Sequence, residues 1–324
     1  MRGLAAGLLA VALLPFAAHA DEMARAWLQR MGESVSTRTY EGEFLVESAR
    51  GREQLRILHR ARDGRVLERL VATSGSRREV IRDGDEVVAY LPDQRVAVIE
   101  RRSGPTALLG NLPRFGPDVE QHYELSLGER TPSVLGGQAR LLSVRPRDGY
   151  RFGFRIWIDE RTAMPMRTEM VDSNGRVFES MAFTRLEMPG EIPDAEFEPA
   201  VDPRDFRWIK QGQTPGRPQP GWRAVRMPPG FRLSLATAQV MPGAAQPVTH
   251  LVYTDGVASI SVFIQEPPRD KPARTSSGTI GAASAFSTVV SGWQVTAVGE
   301  VPPETLRLVA AGMQQDGRQA RSAP

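Results

Sequence analysis

Turn dipeptides recur at short intervals between runs of strand-forming residues, and this pattern restricts the chain to a largely antiparallel β-structure. Dipeptides of this kind tolerate the positive φ angles of tight hairpin turns. In the first two thirds of the chain they are Asp63-Gly64, Asp83-Gly84, Gly136-Gly137, Asp148-Gly149 and Asn174-Gly175. The pattern over residues 40–186 therefore predicts an antiparallel meander with one buried face. A half-closed barrel or a strongly curved sheet fits this pattern, with the first helix packed against it.

A further hairpin is predicted over residues 248–264, where Asp255-Gly256 separates two alternating runs. Leu251 and Tyr253 share one face of the first strand. The return strand carries its apolar residues on a single face: Ile260, Val262 and Ile264. The alternation predicts that this face is buried.

Three segments are predicted to be helical. Residues 22–35 carry apolar residues at helical spacing, with Asp21 as a candidate N-cap. Small residues over 282–290 predict a second helix. A last helix is predicted to begin at Pro302-Pro303-Glu304, because proline and an acidic residue are favoured in a first helical turn.

The first twenty residues have the pattern of a secretory signal peptide. Arg2 precedes an apolar stretch from Leu4 to Phe16, and Ala18-His19-Ala20 is a small-x-small cleavage site. The apolar stretch is shorter than the roughly 20 residues that span a membrane. We expect cleavage after Ala20 and export to the periplasm.

Length and composition predict two domains within the exported chain. Residues 21–208 form the first and 222–314 the second. Residues 209–221, rich in proline and glycine, are the predicted linker, and 315–324 a disordered tail. Residues 103–118 interrupt the meander and are expected to form a short helix that covers the open side of the sheet.

The composition argues against catalysis. There is no cysteine, which excludes disulfides, thiol chemistry and cysteine-ligated metals. His59, His122 and His250 lack metal-ligand spacing, and neither a nucleophile elbow nor a phosphate loop occurs. We therefore expect a binding protein without a cofactor.

The charge pattern argues against nucleic acid as a partner. The formal net charge is only +3, and the arginines alternate with acidic residues instead of forming a basic stripe. Only Lys210 and Lys271 of the 41 basic residues are lysine. Arginine pairs well with phosphate and carboxylate, so lipid phosphates or an acidic partner remain possible ligands.

Aromatic and methionine residues on the predicted concave face could line an apolar site for lipid. The candidates are Trp27, Phe44, Phe154, Met166, Met170 and Phe183. Ordinary core packing is the alternative for each of them.

Several short motifs resemble the MucB/RseB family of regulators of the envelope-stress sigma factor. They include Trp27-Leu28-Gln29-Arg30-Met31, Tyr253-Thr254-Asp255-Gly256 and Gly299-Glu300-Val301-Pro302. The resemblance implies an α+β fold. Its N-terminal part would be an antiparallel half-barrel like that of LolA and LolB, with packed helices. A smaller C-terminal α/β domain would follow.

The resemblance also implies a role. Such a protein binds the periplasmic domain of a membrane anti-sigma factor of the RseA/MucA type, shields it from regulated proteolysis, and is released by lipid or lipopolysaccharide. We expect the partner to contact the second domain, through Trp222, Phe231, His250, Tyr253 and Phe263. For Trp222 and Phe231, the core of that domain is the alternative.

Two other possibilities follow from the same features. A half-barrel alone would suit a periplasmic carrier of lipid or lipoprotein, which would not need the second domain. Exposed hairpin edges would allow a homodimer.

Overall fold

The computed structural model describes residues 15–101, 108–109, 119–211, 221–239, 247–267, 274–280 and 283–315. Within these ranges the chain forms one large sheet, two smaller sheets and three α-helices. None of the helices in these ranges is both long and apolar enough to cross a membrane.

The large sheet has twelve strands in the order β12-β6-β5-β4-β3-β2-β1-β11-β10-β9-β8-β7. Its first six strands are β1 (Tyr40–Ser48), β2 (Gly51–Arg62), β3 (Arg65–Ala72), β4 (Glu79–Asp83), β5 (Glu86–Leu91) and β6 (Val96–Arg101). The other six are β7 (Tyr123–Pro132), β8 (Gln138–Pro146), β9 (Gly153–Asp159), β10 (Pro165–Val171), β11 (Val177–Glu187) and β12 (Arg207–Gln211). Neighbouring strands are antiparallel except β12, which runs parallel to β6.

The helices α1 (Pro15–Thr37) and α2 (Val119–His122) accompany this sheet, as do 3-10 turns at Pro92–Gln94 and Asp194–Phe197. The buried face of α1 consists of Ala24, Leu28, Met31 and Val35, at the spacing of one helical face. These residues join a core formed with strands β1, β2 and β7 to β11. The predicted meander with a helix on one face is confirmed.

The smaller sheets contain β13 (Trp222–Ala224), β14 (Arg232–Gln239), β15 (Val248–Thr254), β16 (Ser259–Gln265), β17 (Ser276–Ile280), β18 (Ala283–Val290), β19 (Trp293–Gly299) and β20 (Met313–Gln315). Six of them form a sheet in the order β14-β15-β16-β19-β18-β17, and β13 pairs with β20. Helix α3 (Pro303–Ala311) covers one face of the six-stranded sheet through Leu306, Val309 and Ala310.

The predicted hairpin is present in the expected register. Leu251 lies opposite Val262, and Tyr253 lies opposite Ile260, with all four side chains buried. The last helix begins at Pro303, also as predicted.

The predicted helix over 282–290 is wrong, because Ala283–Val290 form strand β18. Its small residues suggested a helix, but Ser284 and Phe286 alternate with more exposed neighbours and the run ends in Thr288-Val289-Val290. β-Branched residues favour strands. The small domain therefore has a single described helix.

Three other sequence predictions meet the structure only in part. Ile209 to Gln211, assigned to the linker, belong to β12, and 212–220 lie outside the described residues. Gln315, assigned to the tail, ends β20, and 316–324 lie outside. Of 103–118, only Leu108 and Leu109 are described. Both pack against the core of the large sheet.

A row of polar side chains crosses the interior of the large sheet. His59 on β2 is opposite Glu68 on β3, which is opposite Arg82 on β4, and all three are buried. His59 stacks on Tyr40 with ring centroids 4.6 Å apart, and its Nδ1 lies 2.7 Å from the Arg38 carbonyl oxygen. The Glu68 carboxylate accepts a hydrogen bond from the Leu108 amide, 3.0 Å away. His59 is therefore a buried, packed side chain of this sheet.

This row should give the stability a specific pH dependence. Burial raises the pKa of the Glu68 carboxyl to about 7, so the folded protein keeps a proton that the unfolded chain loses above about pH 4.5. That stabilisation is complete below pH 4.5 and is lost as the pH rises to about 7. Burial of His59 acts in the opposite direction, because it lowers the histidine pKa to about 4 and stability is lost as the pH falls from 6.5.

Glu68→Gln removes only the first contribution. The free energy of unfolding of the variant minus that of the wild type is expected to rise by about 1.4 kcal/mol per pH unit between the two Glu68 pKa values. Urea unfolding at several pH values measures this difference. A difference that stays constant with pH would contradict the assignment.

Candidate functional site at the domain junction

The tip of the β15–β16 hairpin docks the small domain onto the large one. Asp255 Oδ1 accepts hydrogen bonds from the amides of Val257 and Ala258, at 2.8 and 2.7 Å, which fixes the turn. Its other carboxylate oxygen accepts a hydrogen bond from the Tyr123 hydroxyl at 3.0 Å. Val257 packs against the core of the large domain. One acidic residue thus shapes the turn and joins it to the other domain.

Arg151 is the centre of this junction. Its side chain is fully buried, and its Nε lies 3.0 Å from Asp255 Oδ2, also fully buried. The guanidinium lies between the rings of Tyr123 and Phe231, 5.6 and 5.1 Å from their centroids. It also donates to the Pro229 carbonyl oxygen. Paired and hydrogen-bonded charges of this kind can be buried, and losing one partner is costly.

Two further contacts support the same arrangement. Thr305 Oγ1 on α3 donates to the Tyr150 carbonyl oxygen at 2.9 Å. Gly230 has a φ of +85°, and a Cβ built there would lie 2.0 Å from His122 Nε2. The positive φ favours glycine at this position, and any side chain there would have to displace the His122 ring of the large domain.

Beside the junction lies a cavity of about 400 Å³. The large domain contributes Phe152 and Phe154. The small domain contributes the face of its sheet that α3 leaves uncovered, which includes Ser261, Phe263 and Val298. Ser261 is opposite Val252 on one side and Val298 on the other, so small side chains lie beside the Phe263 ring on this surface. An extended peptide or an acyl chain could lie against it.

Glu300 adds the acidic group at this cavity, immediately after β19. Burial, together with the negative charge of Glu179 on β11, raises the pKa of its carboxyl to about 7. The adjacent Gly299 also lines the cavity, and a Cβ there would meet the Ser259 carbonyl oxygen at 2.5 Å. The Gly299-Glu300 pair therefore combines a close strand contact with a carboxyl group of unusual pKa.

The five predicted partner contacts divide into two groups. Trp222 and Tyr253 are buried in the small-domain core, and Phe231 is buried there and contacts Arg151. His250 and Phe263 lie on the uncovered face, half-buried and stacked with centroids 4.4 Å apart. Of the five, Phe263 lines the cavity.

The six predicted lipid contacts pack together in the large-domain core. Phe44, Phe154, Met166, Met170 and Phe183 are buried, and Trp27 packs against them from α1. The Phe44 and Phe183 rings, for example, are 5.5 Å apart. Phe154 is the one of the six that also reaches the cavity.

Sequence reasoning did not identify Arg151, Tyr123, Asp255 or Glu300 as site residues. Arg151 precedes strand β9 and its side chain turns into the junction. Asp255 had the pattern of a turn residue, which it is, and its second role depends on a partner 104 positions earlier. The available signal was that Asp255 and Glu300 each lie within one of the family-like motifs.

Among the described residues, no group of three or more histidine, aspartate or glutamate side chains could hold a metal ion. The cavity at the junction, called the cleft below, instead combines apolar walls with a few fixed polar groups. This is the usual composition of a binding site.

Comparison with known proteins identifies the family. The model of the MucB/RseB N-terminal domain matches residues 23–201, and that of the MucB/RseB C-terminal domain matches residues 216–314. The chain belongs to the MucB/RseB family. The resemblance inferred from the short motifs is confirmed, and the family consists of regulatory binding proteins and not of enzymes.

Named relatives extend over most of the chain. The sigma factor AlgU regulatory protein MucB of Pseudomonas aeruginosa is 31% identical over 300 residues, covering 90% of each protein. The sigma-E factor regulatory protein RseB of Escherichia coli K12 is 25% identical over 311 residues, covering 90% of this chain and 91% of RseB.

Solved structures of MucB are similar to this chain over most of its length. A crystal structure of MucB in complex with MucA(peri) superposes with a TM-score of 0.71 at 26% identity, covering 91% of this chain and 99% of that one. A crystal structure of MucB gives a TM-score of 0.66, also at 26% identity, covering 91% and 98%. The two-domain α+β fold is therefore that of MucB.

Proposed function

We propose that this protein is a periplasmic regulator that binds the periplasmic domain of a membrane anti-sigma factor of the MucA/RseA type. The cleft between the two domains is the proposed binding site. Binding there would shield the anti-sigma factor from regulated proteolysis, since a segment held in a cleft cannot enter a protease in extended form. Signal-peptide cleavage after Ala20 belongs to the same proposal.

The observation that carries this proposal is the preformed cleft, together with the related MucB structure that contains MucA(peri). The uncovered sheet face offers apolar contact at Phe263 and Val298, and Phe154 faces it from the large domain. Because buried Arg151 and Asp255 fix the junction, these walls are in place before a partner arrives. Preorganisation of this kind lowers the cost of binding.

Release by lipid or lipopolysaccharide is the second part of the proposal. An acyl chain would suit the same apolar walls, and Phe154 connects them to the large-domain core. Lipid and partner would then compete for the cleft. Of the six predicted lipid contacts, Phe154 would meet the lipid first, and the others lie in or against the core behind it.

Titration calorimetry tests both parts. The chain beginning at Asp21 is titrated with the periplasmic domain of the anti-sigma factor from the same organism, with and without lipopolysaccharide. We expect tight binding that lipopolysaccharide weakens. Absence of binding without lipid, combined with uptake of lipid, would favour the carrier alternative. A second domain that a buried ion pair fastens to the first argues against a carrier.

A further inference from the structure

The cavity at the domain junction has an uneven charge distribution that the proposed function does not explain. Its walls are apolar or carry small hydroxyl groups, as at Phe154, Phe263 and Ser261. Glu300 is the one ionisable side chain among the described residues that line it. An acid in such surroundings is unfavourable unless something compensates for its charge.

The electrostatics indicate what would compensate for it. Burial and the charge of Glu179 both hinder ionisation of Glu300, and the two carboxyl groups come from different domains. A purely apolar occupant would bury Glu300 further without giving it a partner, whereas a cation would relieve both penalties. Arginine and lysine can combine these requirements, because they bury an apolar stem while their charged end pairs with a carboxylate.

We propose that the cavity receives an arginine or lysine side chain of the bound anti-sigma segment, with its stem along Phe154 and Phe263 and its charged end at Glu300. The inference rests on the proposed function and names the chemistry by which the cleft would recognise its partner. Glu300 would therefore determine specificity, whereas the apolar walls would accept many sequences.

Proton release provides a direct readout of this pairing. Because its pKa is raised, free Glu300 is partly protonated at pH 7, and pairing with a cation lowers that pKa, so binding should release protons. An apolar occupant would raise the pKa and cause proton uptake. The sign of the proton exchange thus distinguishes the two. Calorimetry at pH 7 in two buffers of different ionisation enthalpy measures it, with the periplasmic domain of the anti-sigma factor as the ligand.

Glu300→Gln should abolish this proton release and weaken binding by about tenfold or more at about pH 8, where the wild-type carboxyl is ionised. The matched control is Glu304→Gln on α3. Glu304 is exposed, pairs with Arg307 and does not line the cavity. The control substitution therefore removes the same charge at a position outside the cavity. That control should bind and exchange protons as the wild type does.

Three results would overturn the inference. Proton uptake would indicate an apolar occupant. Equal affinity and equal proton release in Glu300→Gln would show that the carboxyl is not used, although the proposed function would stand if binding persisted. Absence of any binding by the wild type would overturn both.

Discussion

Replacing Arg151 with methionine is expected to lower the free energy of unfolding by about 3–5 kcal/mol. Methionine keeps an apolar stem between Tyr123 and Phe231 but leaves the Asp255 carboxylate buried without its cation. The Tyr123 hydroxyl remains as its donor and cannot replace a charge. Urea unfolding measures the loss. In scanning calorimetry, the two domains of the wild type should unfold in a single transition and those of the variant in two.

A double-mutant cycle separates the ion pair from general damage. Asp255→Asn keeps the oxygen that accepts the Val257 and Ala258 amides but removes the charge. The combined variant should be more stable than the sum of the two single losses predicts, because neither charge is then buried alone.

Arg130→Met is the control for Arg151→Met. It breaks an exposed pair with Glu160 and should cost at most about 1 kcal/mol. Wild-type stability in Arg151→Met would contradict the proposed role of this junction.

Gly299→Ala is expected to cost about 3 kcal/mol, at the upper end of the range for overpacking. The new Cβ would lie 2.5 Å from the Ser259 carbonyl oxygen and 3.4 Å from the Ile260 Cα. Both are backbone atoms of the paired strand β16, so the sheet itself would have to shift. Urea unfolding and the affinity for the partner would both report the change, since Gly299 also lines the cavity.

Gly278→Ala is the matched control in the same sheet. A Cβ at Gly278 meets no atom within 4 Å, and the residue lies in β17 at the edge of the described sheet. Its effect should stay within about 0.5 kcal/mol. Equal stability of the two variants would mean that strands β16 and β19 do not approach as closely as described.

Local sequence patterns predicted most of the strands. Asp63-Gly64 and Asn174-Gly175 connect hairpins because only a few residues tolerate the required positive φ angles. The 248–264 hairpin follows from strict alternation. The helix predicted over 282–290 was wrong because small residues occur in both helices and sheets. Pairing with β19 makes this segment a strand.

The site was less predictable because it depends on contacts between distant segments. The strand pattern could not reveal that Arg151 would be buried, since burial of an arginine depends on a partner in the other domain. The sequence identified the aromatic residues as candidates but could not show which of them lie in the core and which line the cleft. Tyr253 and Phe263 lie on adjacent strands, yet one packs in the core and the other lines the cleft.

The most direct test of the cleft as the partner site is to fill it. Ser261→Trp would place a large side chain on the uncovered sheet face, between Val252 and Val298, in the cavity that Phe154 lines from the large domain. Val134→Trp adds the same side chain at an exposed position of the β7–β8 turn. Both variants should unfold in urea as the wild type does. We expect Ser261→Trp to bind the periplasmic anti-sigma domain at least about 100-fold more weakly, or about 2.7 kcal/mol, and Val134→Trp to bind unchanged. Wild-type affinity in a folded Ser261→Trp variant would contradict the assignment of the cleft.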